Sequence, residues 1–215
     1  TEMARAAAEK NGVECFDTFT GFKFLAEKIK QFEQDGSHEY IFAFEESYGY
    51  LCGDYARDKD AVTASMLIAE MAAYYRTQGK TLYDAMEEMY EKYGCYCEQT
   101  ISIVMPGVSG LQRMKELMQE LRDKPLTQIG THKIDYTRDY MPATRTCRAD
   151  GKSEPMELKG QNVMYYELEG GTTFIIRPSG TEPKVKVYIM AKGENKAEAA
   201  EKVEALTAAA KEIVK

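Results

Sequence analysis

At Arg177-Pro178-Ser179-Gly180-Thr181-Glu182-Pro183 the chain sets an arginine, two hydroxyls and a glycine between two apolar segments. A plain hairpin corner needs only about two turn residues, so this composition requires another reason. An arginine can hold a phosphate through two parallel hydrogen bonds. Ser179 and Thr181 add hydroxyl donors, and Gly180 lets the backbone turn so that successive N–H groups converge on an anion. Pro178 and Pro183 restrict the chain on either side, which lowers the entropy lost when the loop orders. Val185, Val187 and Ile189 alternate on the following segment, so Lys184 and Lys186 share its other face and Lys186 adds positive charge. Glu182 would repel a phosphate and is expected to point away. The plain alternative is a solvated turn. The coincidence of donors with a glycine favours a phosphate site.

Two further stretches could do chemistry. In "FAFEESYGYLCGDYARDKDAV" an apolar strand empties into Glu45, Glu46, Ser47 and Gly49, and Asp58-Lys59-Asp60 follows. An ionised carboxylate only accepts hydrogen bonds, which suits it to sugar hydroxyls. A glycosidase pair fits less well, because adjacent strand residues point to opposite faces. The bland readings are an acidic strand end and, for Asp58 and Asp60, caps of a helix starting near Ala61. In "TFTGFKF", Thr20 and Gly21 form a turn at a helix start with Lys23 behind it; helix N-termini favour anions, but T-G-x-K alone is a weak signal.

The elements that must carry these loops follow from periodicity. Residues 1–11 read as a helix closed by Asn11-Gly12, a left-handed cap signal. "VECFDTF" reads as a short strand, "TGFKFLAEKIKQFEQDG" as a turn and helix, and "EYIFAFEE" as a strand running into a polar loop. "DAVTASMLIAEMAAYYRTQG" and "TLYDAMEEMYEKYG" read as helices, the second with Leu82, Met86, Met89 and Tyr93 on one face. Alternating strands and helices predict an α/β layer domain over residues 1–94. After Gly94 come a strand, "CEQTISIVMPG", and a helix with Leu111, Met114, Met118 and Leu121 on one face. A region rich in turns follows over residues 123–160. Strands "NVMYYELE", "TTFIIR" and "KVKVYIM" lead to a final helix opened by Asn195 and Glu198. Residues 97–215 are therefore expected to form an α+β domain with a mostly antiparallel sheet.

Composition bounds the rest. The 215 residues carry a formal net charge of −7 and 44% hydrophobic side chains. That acidity argues against nonspecific nucleic-acid binding. No apolar run approaches the ~20 residues of a membrane span, and the charged helical start is unlike a signal peptide. Cys15, Cys52, Cys95, Cys97 and Cys147 are odd in number and lack framework spacing, which points to reduced thiols inside the cell. Cys95-x-Cys97 has no second pair at ligand spacing, so zinc is not expected. His38 and His132 read as surface histidines.

The motifs T-G-F-K at Thr20, E-E-S-Y-G with D-K-D at Glu45 to Asp60, and R-P-S-G-T-E-P at Arg177 occur in one order across nearly the whole chain. In this the chain resembles the α-D-phosphohexomutase (phosphoglucomutase/phosphomannomutase) family. The resemblance implies a C-terminal fragment: a truncated third α/β domain over 1–94, with at least one sheet strand missing, and the fourth, α+β domain over 97–215. It implies that Glu45 and Ser47 read the sugar hydroxyls, with Thr20 and Lys59 beside them, and that Arg177, Ser179, Gly180, Thr181 and Lys186 grip the phosphate that is not transferred. The sequence departs from the family at Ala61, where D-K-D-G is common, which touches only local backbone geometry.

The activity implied for the whole protein is a cytoplasmic phosphotransferase-type isomerase. It interconverts hexose 1-phosphate and hexose 6-phosphate through a sugar bisphosphate, which also serves as activator, using a phosphoserine and Mg²⁺. The chain contains neither the serine loop nor the D-G-D-x-D-R metal loop, so no catalytic residue or metal ligand is assigned to it and it is expected to be inactive alone. The implied partners are a phosphosugar, the missing N-terminal domains and a second copy pairing along the exposed sheet edge, but neither nucleic acid nor membrane. Phosphopentomutase-like activity and a stand-alone phosphosugar-binding module are the alternatives.

Overall fold

Helix α1 (Glu2–Lys10) stops at Asn11-Gly12, with Gly12 in the left-handed region at φ 70°. Helix α2 (Phe22–Asp35) stops on Gly36, whose N–H donates to the Phe32 carbonyl. These are the terminations that αL glycines provide. This is a computed structural model, and it describes residues 1–180 and 182–215, with Val108 described by its backbone alone. Strands β1 (Phe42–Glu45) and β2 (Gly49–Cys52) pair antiparallel, with Glu45 opposite Gly49. The polar loop expected after "EYIFAFEE" is thus a tight hairpin turning at Glu46-Ser47-Tyr48, with Tyr48 at φ 61°. Helices α3 (Ala61–Thr77) and α4 (Leu82–Tyr93) follow.

Residues 13–19, expected as a strand, form none. No described strand pairs with them, and a strand's backbone groups need such a neighbour. The segment is anchored through side chains instead. Phe16 packs on Phe32 with ring centroids 5.2 Å apart and meets His38 edge-on at 4.9 Å. The expected apolar face of α4 is also incomplete: Leu82 is exposed and Ala85 is the buried residue.

The chain divides into two compact units. One is Ala8–Lys92; the other is Tyr93–Lys215 together with Thr1–Ala7. The second is built on strands β3 (Cys95–Val104), β4 (Gln128–Ile129), β5 (His132–Asp139), β6 (Thr144–Cys147), β7 (Ser153–Pro155), β8 (Met164–Leu168), β9 (Thr172–Pro178) and β10 (Lys184–Gly193). They form one antiparallel sheet in the order β3-β10-β9-β8-β5-β6-β7, with β4 paired to β5. Helices α5 (Gly107–Asp123) and α6 (Lys196–Ile213) contribute to one core with its inner face.

Period-2 alternation decides that face. Tyr166, Phe174, Ile176, Val185, Val187 and Ile189 are fully buried, while their strand neighbours point outward. Against them α5 sets Met114, Leu117, Met118 and Leu121, and α6 sets Val203, Leu206 and Ala210. Leu111, expected in this stripe, is half exposed and Leu117 joins it instead, because the first turns of α5 lie over an open cleft. Helix α6 is capped as its sequence predicts: Asn195 Oδ1 accepts the Glu198 N–H at 3.0 Å. The Glu198 carboxylate accepts the N–H of Glu194, one residue before the cap.

On the outer face Glu167 ties three strands together. It accepts from Arg138 at 2.6 Å and from Arg145 at 2.7 and 2.8 Å, and Arg145 also reaches Glu154 at 2.7 Å. Burial pushes the Glu167 carboxyl upward, but Arg145 and Arg138 outweigh it and hold it below the usual carboxylate range.

Candidate functional site

One candidate cluster lies in each unit. In Ala8–Lys92, the β1–β2 hairpin aims Glu45 across its own turn. Ser47 Oγ donates to Glu45 Oε1 at 3.2 Å, and Lys59 Nζ lies 3.5 Å from the same oxygen. Lys59 also meets Asp58 at 3.4 Å and sits 4.7 Å from the centre of the Phe22 ring. Burial works against the Lys59 charge, yet the Glu45 and Asp58 carboxylates outweigh it and raise its pKa. Gly49 is buried directly opposite Glu45. A Cβ there would stand 2.6 Å from Phe22 Cε2 and 2.9 Å from Glu45 Oε1.

Glu45, Ser47 and Lys59 are therefore brought together. Thr20 lies in the turn before Phe22 and is exposed. Asp58 and Asp60 divide their duties. Asp58 holds Lys59, while Asp60 caps α3, its Oδ1 accepting from Val62 N (3.0 Å) and Thr63 N (3.1 Å) and its Oδ2 from the Tyr55 hydroxyl. Phe22 and Tyr55 are neighbours that sequence reasoning did not single out. Nothing in the spacing of residues 22, 45 and 59 signals that Phe22 lies beneath Lys59.

In the other unit the register of β9 and β10 places Arg177 directly opposite Lys186. Ser179 N–H donates to the Lys184 carbonyl at 2.9 Å, which holds the start of the loop against β10. Arg177 Nη1 lies 3.5 Å from Tyr188 Oη, and Lys186 Nζ lies 6.0 Å from the centre of the Tyr188 ring. Glu182 pairs with Lys184 at 2.6 Å, so its charge is taken up. Gly180 keeps an ordinary φ, and an added Cβ would meet nothing within 4 Å. The absent side chain thus leaves the loop backbone open to approach. Thr181 lies outside the described residues.

Arg177, Pro178, Ser179 and Gly180 line a cleft of about 340 Å³ together with Leu111, Met114 and Lys115 of α5 and Gln161, Asn162 and Val163. The carboxamides and Lys115 were not legible as site residues, because only the pairing of β8 with β9 and the packing of α5 bring them to this cleft. Like charges directly opposite on paired strands repel, and neither Arg177 nor Lys186 has a carboxylate partner among the described residues. An anion beside them would relieve that repulsion.

Comparison with known proteins bears on the family. The family model described as phosphoglucomutase/phosphomannomutase, alpha/beta/alpha domain III, matches residues 1–93, and that described as the C-terminal domain matches residues 148–210. The chain is 35% identical over 207 residues to a phosphoglucomutase of Staphylococcus aureus (strain bovine RF122 / ET3-1), covering 96% of this chain and 37% of that protein. It is 35% identical over 195 residues to a phosphoglucomutase of Staphylococcus haemolyticus (strain JCSC1435), covering 90% and 35%. The chain thus spans little more than a third of the length of these relatives. Among solved structures, the exocytosis-sensitive phosphoprotein pp63/parafusin of Paramecium, a phosphoglucomutase in its open form, superposes with a TM-score of 0.62 at 17% identity. It covers 96% of this chain and 35% of that one, a likeness of fold alone. By the two matched domains and the motifs inside them, the chain belongs to the phosphoglucomutase/phosphomannomutase family, of which it carries the third and C-terminal domains.

Proposed function

We propose that this chain is the sugar- and phosphate-binding part of a phosphosugar mutase, with residues 1–94 serving sugar recognition and residues 97–215 phosphate binding. The whole enzyme would interconvert hexose 1-phosphate and hexose 6-phosphate in the cytoplasm through a sugar bisphosphate that also acts as activator. The observation that carries the reading is the cross-strand pair Arg177 and Lys186, two cations held side by side on the outer face of the sheet where β9 runs into the Ser179-Gly180 loop, with no carboxylate partner among the described residues. Ser179, Thr181 and the backbone at Gly180 complete the donors for a phosphate that stays bound while the other is transferred.

Glu45, held by Ser47 and Lys59, offers a fixed acceptor to sugar hydroxyls, and Thr20, exposed in the turn before α2, is assigned to the same sugar. Phosphoryl transfer depends mainly on positioning and electrostatics, so a fixed clamp and a hydroxyl reader could serve either orientation of a bisphosphate. The family implies Mg²⁺. Among the described residues no group of three or more His, Cys, Asp or Glu side chains could hold a metal ion, so no step assigned to this chain runs through one. Phosphoryl donation is assigned to the phosphoserine of the preceding domains.

The test separates the two clusters in the full-length enzyme. Arg177→Ala removes charge-assisted hydrogen bonds of about 1.5–3 kcal/mol each. Loss of one lowers kcat/KM about ten- to hundredfold and weakens competitive inhibition by inorganic phosphate. Glu45→Gln lowers turnover and discrimination among glucose, mannose and ribose 1-phosphates while leaving phosphate inhibition nearly intact. Unchanged phosphate inhibition in Arg177→Ala would reduce the corner to a rigid turn.

A further inference from the structure

The hairpin that carries Glu45 and Ser47 turns on a residue whose backbone strain no packing offsets. Glu45 pairs with Gly49, so the loop between β1 and β2 consists of Glu46, Ser47 and Tyr48. In a loop of this length the last residue takes the left-handed conformation, where glycine is the default because a Cβ crowds the backbone. Here the residue is a tyrosine, at φ 61°.

Tyr48 and Ala143 are the non-glycine residues with positive φ among those described, and they differ in what they gain. Ala143 is 8% exposed, so its methyl is packed, and its carbonyl accepts the Met156 N–H at 2.8 Å. Tyr48 is 88% exposed, and its ring and hydroxyl have no hydrogen bond or ring contact among the described residues. Strained residues of this kind concentrate at ligand contacts. The position of Tyr48 fits one. It follows Ser47, whose hydroxyl donates to Glu45 Oε1 at 3.2 Å, and it precedes Gly49, whose added Cβ would stand 2.9 Å from the same oxygen. The phenol is therefore anchored at the rim of a fixed carboxylate.

A sugar ring offers two kinds of surface. The hydroxyls along its edge suit an acceptor such as Glu45. The C–H bonds on its faces carry slight positive charge and suit the negative face of an aromatic ring. We infer that Tyr48 is a further sugar-binding residue, its ring closing over the C–H face of a hexopyranose phosphate whose hydroxyls Glu45 accepts. This rests on the reading of the Glu45 hairpin as the part that recognises the sugar.

Glucose 1-phosphate titrated into the 215-residue chain, followed through the backbone amide resonances of Ser47 and Gly49, tests it, with inorganic phosphate as the second probe. Tyr48→Asn removes the ring and installs a residue that accepts the left-handed conformation. It should raise the apparent Kd for glucose 1-phosphate about fivefold, the scale of an aromatic contact. It should leave the Kd for inorganic phosphate unchanged and melt at or above the parent. Tyr48→Phe keeps the ring and should bind as the parent does. If Tyr48→Asn binds glucose 1-phosphate like the parent while Glu45→Gln binds it more weakly, the stacking role is overturned and the hairpin still recognises the sugar. If Glu45→Gln also leaves that Kd unchanged, the sugar reading of the hairpin is overturned with it. A Tyr48→Asn chain that melts below the parent, or that loses inorganic phosphate equally, would give the ring a role in the fold and overturn the inference.

Discussion

Gly49 has no room for a side chain between Phe22 and Glu45, and its lack of one does two jobs. It lets the Phe22 ring pack beneath Lys59, and it lets the Glu45 carboxylate lie across the hairpin where Ser47 and Lys59 hold it. Phe22 is only 3% exposed and cannot swing into solvent to make way. Gly49→Ala should therefore cost about 1–3 kcal/mol, as overpacking of a filled site does, and should raise KM for the sugar phosphate in the full-length enzyme by displacing Glu45. A thermal melt superimposable on that of the parent would show that the pocket yields more easily than its contacts imply. Arg177 and Lys186 show the opposite economy. Their opposition is a repulsion that the native ladder keeps and that a bound anion would relieve.

At the scale of the element, α3 is an unusual helix. None of its side chains is buried, and Val62, Met66, Ile68, Met71 and Tyr74 are all exposed. Its N-terminus is nevertheless closely tied, because Asp60 accepts from two backbone N–H groups and the hydroxyls of Thr63 and Tyr55. Those bonds, led by Thr63 and Tyr55, lower the Asp60 pKa from 3.8 to about 2. A carboxylate depressed on folding stabilises the native state fully above its unfolded pKa and loses that effect as pH falls through the folded value. The cap should thus act at neutral pH and weaken between 3.8 and about 2. Asp60→Ala should melt below the parent at neutral pH, and the gap should close as the solution is acidified through that window. A gap independent of pH would assign the effect to packing and not to the charged cap.

For the whole molecule, the two units differ sharply in what they bury. The core of Tyr93–Lys215 gathers twenty buried apolar residues among those described, whereas Phe22, Ile29 and Leu51 form the buried cluster of Ala8–Lys92. Each buried large side chain contributes roughly 1.5–3 kcal/mol, so the difference exceeds what the unequal lengths of the units account for. Hydrogen exchange should divide accordingly. Amides of α2, β1, β2 and α3 should exchange on the order of a hundredfold or more faster than those of β8, β9 and β10, as separate cooperative units do. Equal protection in the two units would mean that the exposed apolar surface of α3 and β1 is covered in solution.

Features set by residues close in the chain are legible in the sequence by itself. The helix stops at Gly12 and Gly36, the Asn195 cap and the inward alternation of Val185, Val187 and Ile189 follow from local φ preferences and from the periods of helix and strand. The donor content of the Arg177 loop is likewise a property of composition. What the sequence left open was every feature that depends on a partner far away. Residues 13–19 have strand-like composition but no strand to pair with. The turn at Glu46 to Tyr48 makes a hairpin only because β2 finds β1 in the register that sets Gly49 against Glu45. Arg177 faces Lys186 through the register of β9 on β10, and Lys115 reaches the same cleft only once α5 packs on the sheet. Periodicity says which face of an element is apolar; only the closing of the chain on itself says which other face it meets, because register and contact are settled by long-range packing.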